Sequence, residues 1–192
     1  VVGVEVNISC PNVASRGLVF ACDPLALAKV VSLVRAEVSD AIPVFAKLSP
    51  DVTDIVSIAL ACAKGGATGL TMINTLLGMV IDTDRMRPHL GGVTGGLSGP
   101  AIRPIAVRAV WQVSAAMRAG HLPALPVIGV GGVRTGADAL ELVAAGASAV
   151  QVGTAVFNDP SAPVRVLREL EALLDERGFR SFGEVVGLAH GR

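Results

Sequence analysis

Tyrosine is missing from this chain, and aromatic residues make up only 3% of its 192 positions. Charge of one sign is missing as well, because 16 basic residues balance 16 acidic ones. With neither a basic stripe nor stacking platforms, a nucleic-acid partner is not expected. Long hydrophobic runs are absent too. The apolar stretches 126–130 and 147–152 are strand-sized, far short of the ~20 residues that cross a bilayer, so no membrane span is expected. Cysteine is scarce: Cys10, Cys22 and Cys62 are odd in number and lack metal-type spacing. A disulfide framework or a bound metal is therefore not expected, and a reducing cytoplasm suits the thiols. The chain starts Val-Val-Gly-Val-Glu-Val, with no initiator methionine, basic start or cleavage site, and reads as cut into rather than targeted.

What is present points to one core-rich globular domain. Hydrophobic residues are 52% of the chain and charged residues 17%, with 22 glycines and 11 prolines scattered as punctuation between apolar stretches. Val2, Val4 and Val6 alternate with Gly3, Glu5 and Asn7, a period of two that predicts a strand ending near Ile8. Asp23-Pro24 offers a cap and a first-turn proline for a helix over about 24–39. The rhythm then repeats: a strand over 43–48, a helix capped by Thr53 or Asp54 and closed at Gly65, and a strand over 69–73.

About two dozen glycine-rich and polar residues follow as a long loop, which in a compact domain is usually functional. Helical patterning resumes over about 101–118, followed by a strand at 127–130, a helix capped by Thr135, a fifth strand at 149–152 and a last helix over about 160–176. Strands separated by helices throughout imply parallel pairing in an α/β fold. The joints Gly65-Gly66-Ala67 and Ala145-Gly146-Ala147 resemble each other, as units reused around a barrel would. Five strands do not close a (β/α)₈ barrel of about 250 residues. The alternatives are an open doubly wound sheet or the last five β/α units of a TIM barrel, and glycine pairs after the fourth and fifth strands favour the barrel.

Candidate chemistry clusters where strands end. Asn7-Ile8-Ser9-Cys10-Pro11-Asn12 brings two amides and a thiol within six residues. Asn7 and Asn12 offer the donors and acceptors that read a small heterocycle, and Cys10 is a nucleophile or, with an ordinary thiol pKa near ~8.5, a general base. The plainer alternative is a turn around a buried thiol. Lys47 ends an otherwise apolar strand and needs a partner, which a flavin or phosphate would supply, unless it snorkels to solvent. Asn74-Thr75 ends the next strand. The glycine loops Gly95–Pro100, Gly129–Gly132 and Gly153-Thr154 are candidate anion cradles, and two on neighbouring strands are a stronger signal than one. A Rossmann fingerprint is absent. His89, His121 and His190 read as surface residues, and Trp111 as packing.

At these residues the chain resembles the C-terminal part of the class 1 dihydroorotate dehydrogenases, the flavin barrels of pyrimidine biosynthesis. Asn7–Asn12, Ala46–Pro50, Ile73–Thr75, Thr94–Pro100, Ile128–Val133 and Val152–Thr154 look like that family's motifs, in its order. The resemblance implies residues 1–192 as the C-terminal portion of a single FMN-binding barrel domain whose first three strands are missing, from a longer gene product. It implies FMN-dependent oxidation of dihydroorotate to orotate, with Cys10 as the base. Asn7, Asn12, Asn74 and Thr75 would hold substrate, while Asn7, Lys47, Ile73, Gly99, Gly131, Gly132, Gly153 and Thr154 would contact FMN. The stretches Ile73–Gly78 and Gly95–Pro100 look like the class 1B form rather than the fumarate-linked class 1A. A homodimer with an electron-transfer subunit carrying FAD and a 2Fe–2S cluster, delivering electrons to NAD⁺, would follow. The rivals are the flavin domain of dihydropyrimidine dehydrogenase, which reduces uracil and thymine with NADPH, and a non-catalytic barrel fragment.

Overall fold

The alternation at the start of the chain becomes a strand, and each later apolar run takes its place beside it. The computed structural model describes residues 1–9 and 23–191. Its elements are β1 (Val4–Asn7), α1 (Pro24–Glu37), β2 (Val44–Leu48), α2 (Ile55–Lys64) and β3 (Gly69–Met72). Then come four short strands, β4 (Leu76–Gly78), β5 (Ile81–Asp82), β6 (Arg87–Pro88) and β7 (Gly95–Leu97). The rest is α3 (Arg103–Arg118), β8 (Val127–Val130), α4 (Gly136–Ala145), β9 (Ala149–Gln151), α5 (Ala155–Asn158) and α6 (Ala162–Glu176).

One sheet runs β1-β2-β3-β8-β9, parallel at every pairing. Strand order follows chain order from edge to edge. A doubly wound sheet reverses its order at a switch point, whereas a barrel adds each unit beside the last, so the open-sheet alternative falls away. The helices agree, since α1 packs on α2, α2 on α3, α3 on α4 and α4 on α6, in one row. Ala46, Leu48, Leu70, Met72 and Val127 point under these helices and are buried with Leu27, Ile58, Val110 and Leu142 in one core. Alternate residues on the same strands, Glu5, Lys47 and Thr71, point to the opposite face, the barrel interior.

The repeated joint is geometric as well as sequential. After α2 the N–H of Gly66 donates to Ala63 and that of Ala67 to Cys62; after α4, Gly146 donates to Val143 and Ala147 to Leu142. Gly66 and Gly146 hold φ of +96° and +127°, which a side chain resists, so the turn selects glycine at both. The caps are those the sequence offers: Asp23 accepts from the N–H groups of Leu25 and Ala26, Asp54 from those of Val56 and Ser57.

Three expectations need correction. The loop after β3 carries two antiparallel ribbons, β4 with β7 and β5 with β6, whose two- and three-residue strands are too short to show periodicity. Gly95 and Gly96, expected in a loop, belong to β7; a Cβ on Gly96 would lie 2.2 Å from Thr75 Oγ1, so this glycine lets the ribbon lie directly over Thr75. His190 is half-buried, stacks on Trp111 with ring centroids 4.9 Å apart, and pairs through Nε2 with the Ala145 carbonyl at 3.0 Å. His89 and His121 are exposed, as expected.

Asp138 anchors the loop after β8. Its carboxylate accepts from the N–H groups of Arg134 and Thr135, each at 2.9 Å, and pairs with the Arg103 guanidinium on α3. Burial opposes its ionisation, but these hydrogen bonds and the Arg103 charge hold its pKa below the usual carboxylate range. A lowered folded-state pKa contributes stability that is complete above pH ~4 and is lost as pH falls through the depressed value. Asp138→Asn therefore loses about 2 kcal/mol at neutral pH. The gap between the thermal melts of the two proteins should close as pH falls below ~4 and through the depressed value; a gap unchanged well below that value would contradict this assignment.

Candidate active site

The strands end in a rim of polar groups around a cavity. Asn7, the last residue of β1, accepts through Oδ1 from the Ser9 backbone N–H at 3.2 Å and from the Ser9 hydroxyl at 2.9 Å. Asn74, just past β3, donates through Nδ2 to Ser9 Oγ at 2.7 Å and to Asn7 Oδ1 at 3.3 Å. Its Oδ1 accepts from the Thr75 N–H at 2.8 Å. The two amides that the sequence singled out on different strands thus share one hydrogen-bonded patch, with the buried Ser9 as the link. Backbone bonds fix the strand end beneath them: Ile73 N–H to the Val130 carbonyl and Asn74 N–H to Leu48, both at 2.9 Å. The Met72–Ile73 peptide is cis.

Beside this patch lies a cavity of about 380 Å³, within the range of ~300–1,000 Å³ usual for small-molecule sites. Lys47, Ile73, Asn74 and Thr75 line one part of it, and Gly99, Gly131, Gly132, Gly153 and Thr154 another. Nine of the twelve predicted site residues therefore border one space. Asn7 joins it through Asn74, whereas Cys10 and Asn12 lie outside the described residues, as does Cys22. Cys62 is a free thiol buried in the core, and burial pushes its pKa up to about 12, which leaves it inert.

The glycine loops meet as neighbours because β8 and β9 are adjacent. Gly131 and Gly132 are pressed against α3: a Cβ on Gly132 would lie 2.7 Å from Arg103 Cβ and 2.9 Å from its backbone nitrogen. Gly153 differs, since a Cβ there would meet nothing within 4 Å. Space open beside exposed backbone, at the wall of a cavity, suits the close approach of an anion. Below it Arg165 is already engaged, with Asp159 at 3.0 Å and Glu169 at 2.8 Å, and it donates to the Arg134 carbonyl at 3.0 Å.

Lys47 has a partner that the sequence reading missed. Its Nζ donates to Glu5 Oε1 at 3.2 Å, and Glu5 Oε2 accepts from Thr71 Oγ1 at 2.7 Å. Burial works against the Glu5 charge, but hydrogen bonds from Thr71, Lys47 and Gln151 and the attraction of Lys47 hold its pKa below the usual carboxylate range. Glu5 is visible in the sequence only as one polar residue of an alternating strand. Lys47 is 42 residues away and Thr71 is 66, so nothing local marks the group.

A family model described as dihydroorotate dehydrogenase matches residues 1–174. A relative from Geobacter sp. (strain M21), the catalytic subunit of an NAD⁺-linked dihydroorotate dehydrogenase B, is 54% identical over 187 residues, covering 97% of this chain and 59% of its own length. The catalytic subunit of the same name from Desulforudis audaxviator is 54% identical over 190 residues, covering 99% of this chain and 59% of its own. A crystal structure of DHODH from Eimeria tenella in complex with ferulenol superposes with a TM-score of 0.80 at 25% identity, over 98% of this chain and 54% of that one.

The chain belongs to the dihydroorotate dehydrogenase family. It holds five consecutive β/α units of a (β/α)₈ barrel and spans about 59% of the length of these curated relatives. Among the described residues no helix is long and apolar enough to cross a membrane.

Proposed function

We propose that residues 1–192 are the C-terminal portion of one FMN-binding barrel domain. In this reading the protein oxidises (S)-dihydroorotate to orotate on the way to UMP, as the catalytic subunit of a class 1B enzyme. The observation that carries the reading is the junction of the Asn7–Ser9–Asn74 patch with a cavity bounded by Lys47 and by the loops after β8 and β9. A planar heterocycle is read at the first, and a phosphorylated cofactor is held at the second.

The residues fit FMN. The open backbone at Gly153 and Thr154, with Gly131 and Gly132 beside it, suits the phosphate, while Ile73, Asn74, Gly99 and Lys47 border the rest of the cavity. FMN, when bound, supplies the acceptor for the hydride that leaves C6 of dihydroorotate. The protein's work is on the substrate. Asn7, Asn12, Asn74 and Thr75 hold the ring's amide and carbonyl edges, and Cys10, as thiolate, takes the proton from C5. Lys47 brings positive charge to the cavity wall.

The relatives' names, catalytic subunits linked to NAD⁺, support a partner subunit. By resemblance that partner carries FAD and a 2Fe–2S cluster, and the complex is built on a homodimer in the cytoplasm. Turnover of the intact protein with a panel of dihydropyrimidines tests the reading. Dihydroorotate should be oxidised and dihydrouracil left untouched; a preference for dihydrouracil or uracil would assign the dihydropyrimidine dehydrogenase activity instead.

A further inference from the structure

The carboxylate of Glu5 stands inside the barrel, a place where a charge needs a reason. It is not on the cavity wall; it lies behind the wall, where it joins β1 to β2 through Lys47 and to β3 through Thr71. The Gln151 amide on β9 also helps hold the carboxylate ionised. Lys47 and Gln151 both line the cavity, and Glu5 pairs with Lys47 without lining it. The Lys47 side chain is 21% exposed and that of Glu5 is 33%, so solvent does not fully screen the pair.

We propose that Glu5 is a positioning residue for Lys47: it fixes the ammonium at the cavity wall and balances its charge, so that the flavin site presents an ion pair and not an isolated cation. The inference rests on the flavin reading above. A bare ammonium in that position favours the more negative, reduced state of a bound flavin, and a fixed carboxylate next to it tempers the preference. Glu5 thereby sets how strongly the site pulls electrons, and Lys47 transmits the effect. The reading also explains why an ionised carboxylate is kept at a strand position where an apolar residue would pack.

Two measurements test this, one without the cofactor. In the apo-protein, competitive amine labelling read by mass spectrometry should modify Lys47 several-fold faster in Glu5→Gln than in the native protein, because the ammonium loses its counter-charge. Unchanged labelling overturns the pairing. In the flavin-loaded protein, Glu5→Gln should favour reduced over oxidised FMN by about tenfold, or ~30 mV for a two-electron couple.

In a Lys47→Met background, where the carboxylate has no cation to hold, the same substitution should shift the potential clearly less than in the native background. An equal shift in both backgrounds, or no shift in either, overturns the inference. Glu5→Asp, which keeps the charge, should recover most of the native potential; if it behaves like Glu5→Gln, charge balance is not the cause. Failure of the native protein to take up FMN would count against the flavin reading, and labelling of Lys47 would then decide on the pair by itself.

Discussion

In a Cys10→Ala protein, turnover of dihydroorotate falls by roughly 10²–10⁴-fold while FMN stays bound, the range expected when a positioned general base is removed. The amide patch is built from Asn7, Ser9 and Asn74, so substrate affinity should change far less than turnover. Cys10→Ser keeps a proton acceptor of much higher pKa and should recover part of the rate at high pH. For the native protein the rate rises with pH through the ionisation of the thiol, ordinarily near ~8.5. Steady-state rates from pH ~5 to ~10 on the three proteins check this. Undiminished turnover in the alanine protein would remove Cys10 from the chemistry, and a flat native profile would point to another base.

Gly153→Val separates cofactor binding from folding. A Cβ there has open space around it, and the stability of the apo-protein should change by no more than about 0.5 kcal/mol. The added side chain would fill the gap proposed for the FMN phosphate beside the backbone after β9. Each charge-assisted hydrogen bond to the phosphate that is lost costs about 1.5–3 kcal/mol, and FMN affinity should fall by at least ~100-fold. Titration of the apo-protein with FMN, beside a thermal melt, gives both numbers. A variant that unfolds, or one that binds FMN as the native protein does, would contradict the assignment of this loop. Gly132 offers no such separation, because a Cβ there drives into the backbone of Arg103 and damages the fold first.

The barrel units were legible in the sequence because each is written locally. A capping Asp or Thr, an apolar stripe, a glycine turn and a short apolar strand recur, and every parallel strand lies within two residues of its expected ends. Ala145-Gly146-Ala147 matched Gly65-Gly66-Ala67 because both close a helix with the same pair of hydrogen bonds. The ribbons β4–β7 and β5–β6 were not legible, since strands of two or three residues leave no period to count.

The site followed the same division. Asn7, Lys47, Asn74 and the glycine loops stand out in the sequence because each sits where a strand ends, and strand ends are where α/β barrels place chemistry. What tied them together was not found. Ser9 carries no local signal of a role, although it is the hydrogen-bonding link between Asn7 and Asn74. Glu5 was read as one polar step of an alternating strand, although it is the counter-charge of Lys47. His190 was placed on the surface, although Trp111 and the end of α4 hold it. Each of these depends on a contact between distant segments, which no local pattern records.

The most direct measurement is the visible spectrum of the FMN-loaded protein under anaerobic conditions, recorded before and after dihydroorotate is added. The account predicts that the absorbance of bound flavin bleaches as one equivalent of orotate appears per FMN. A bound flavin that keeps its colour with dihydroorotate but bleaches with another dihydropyrimidine, or with none, would contradict it.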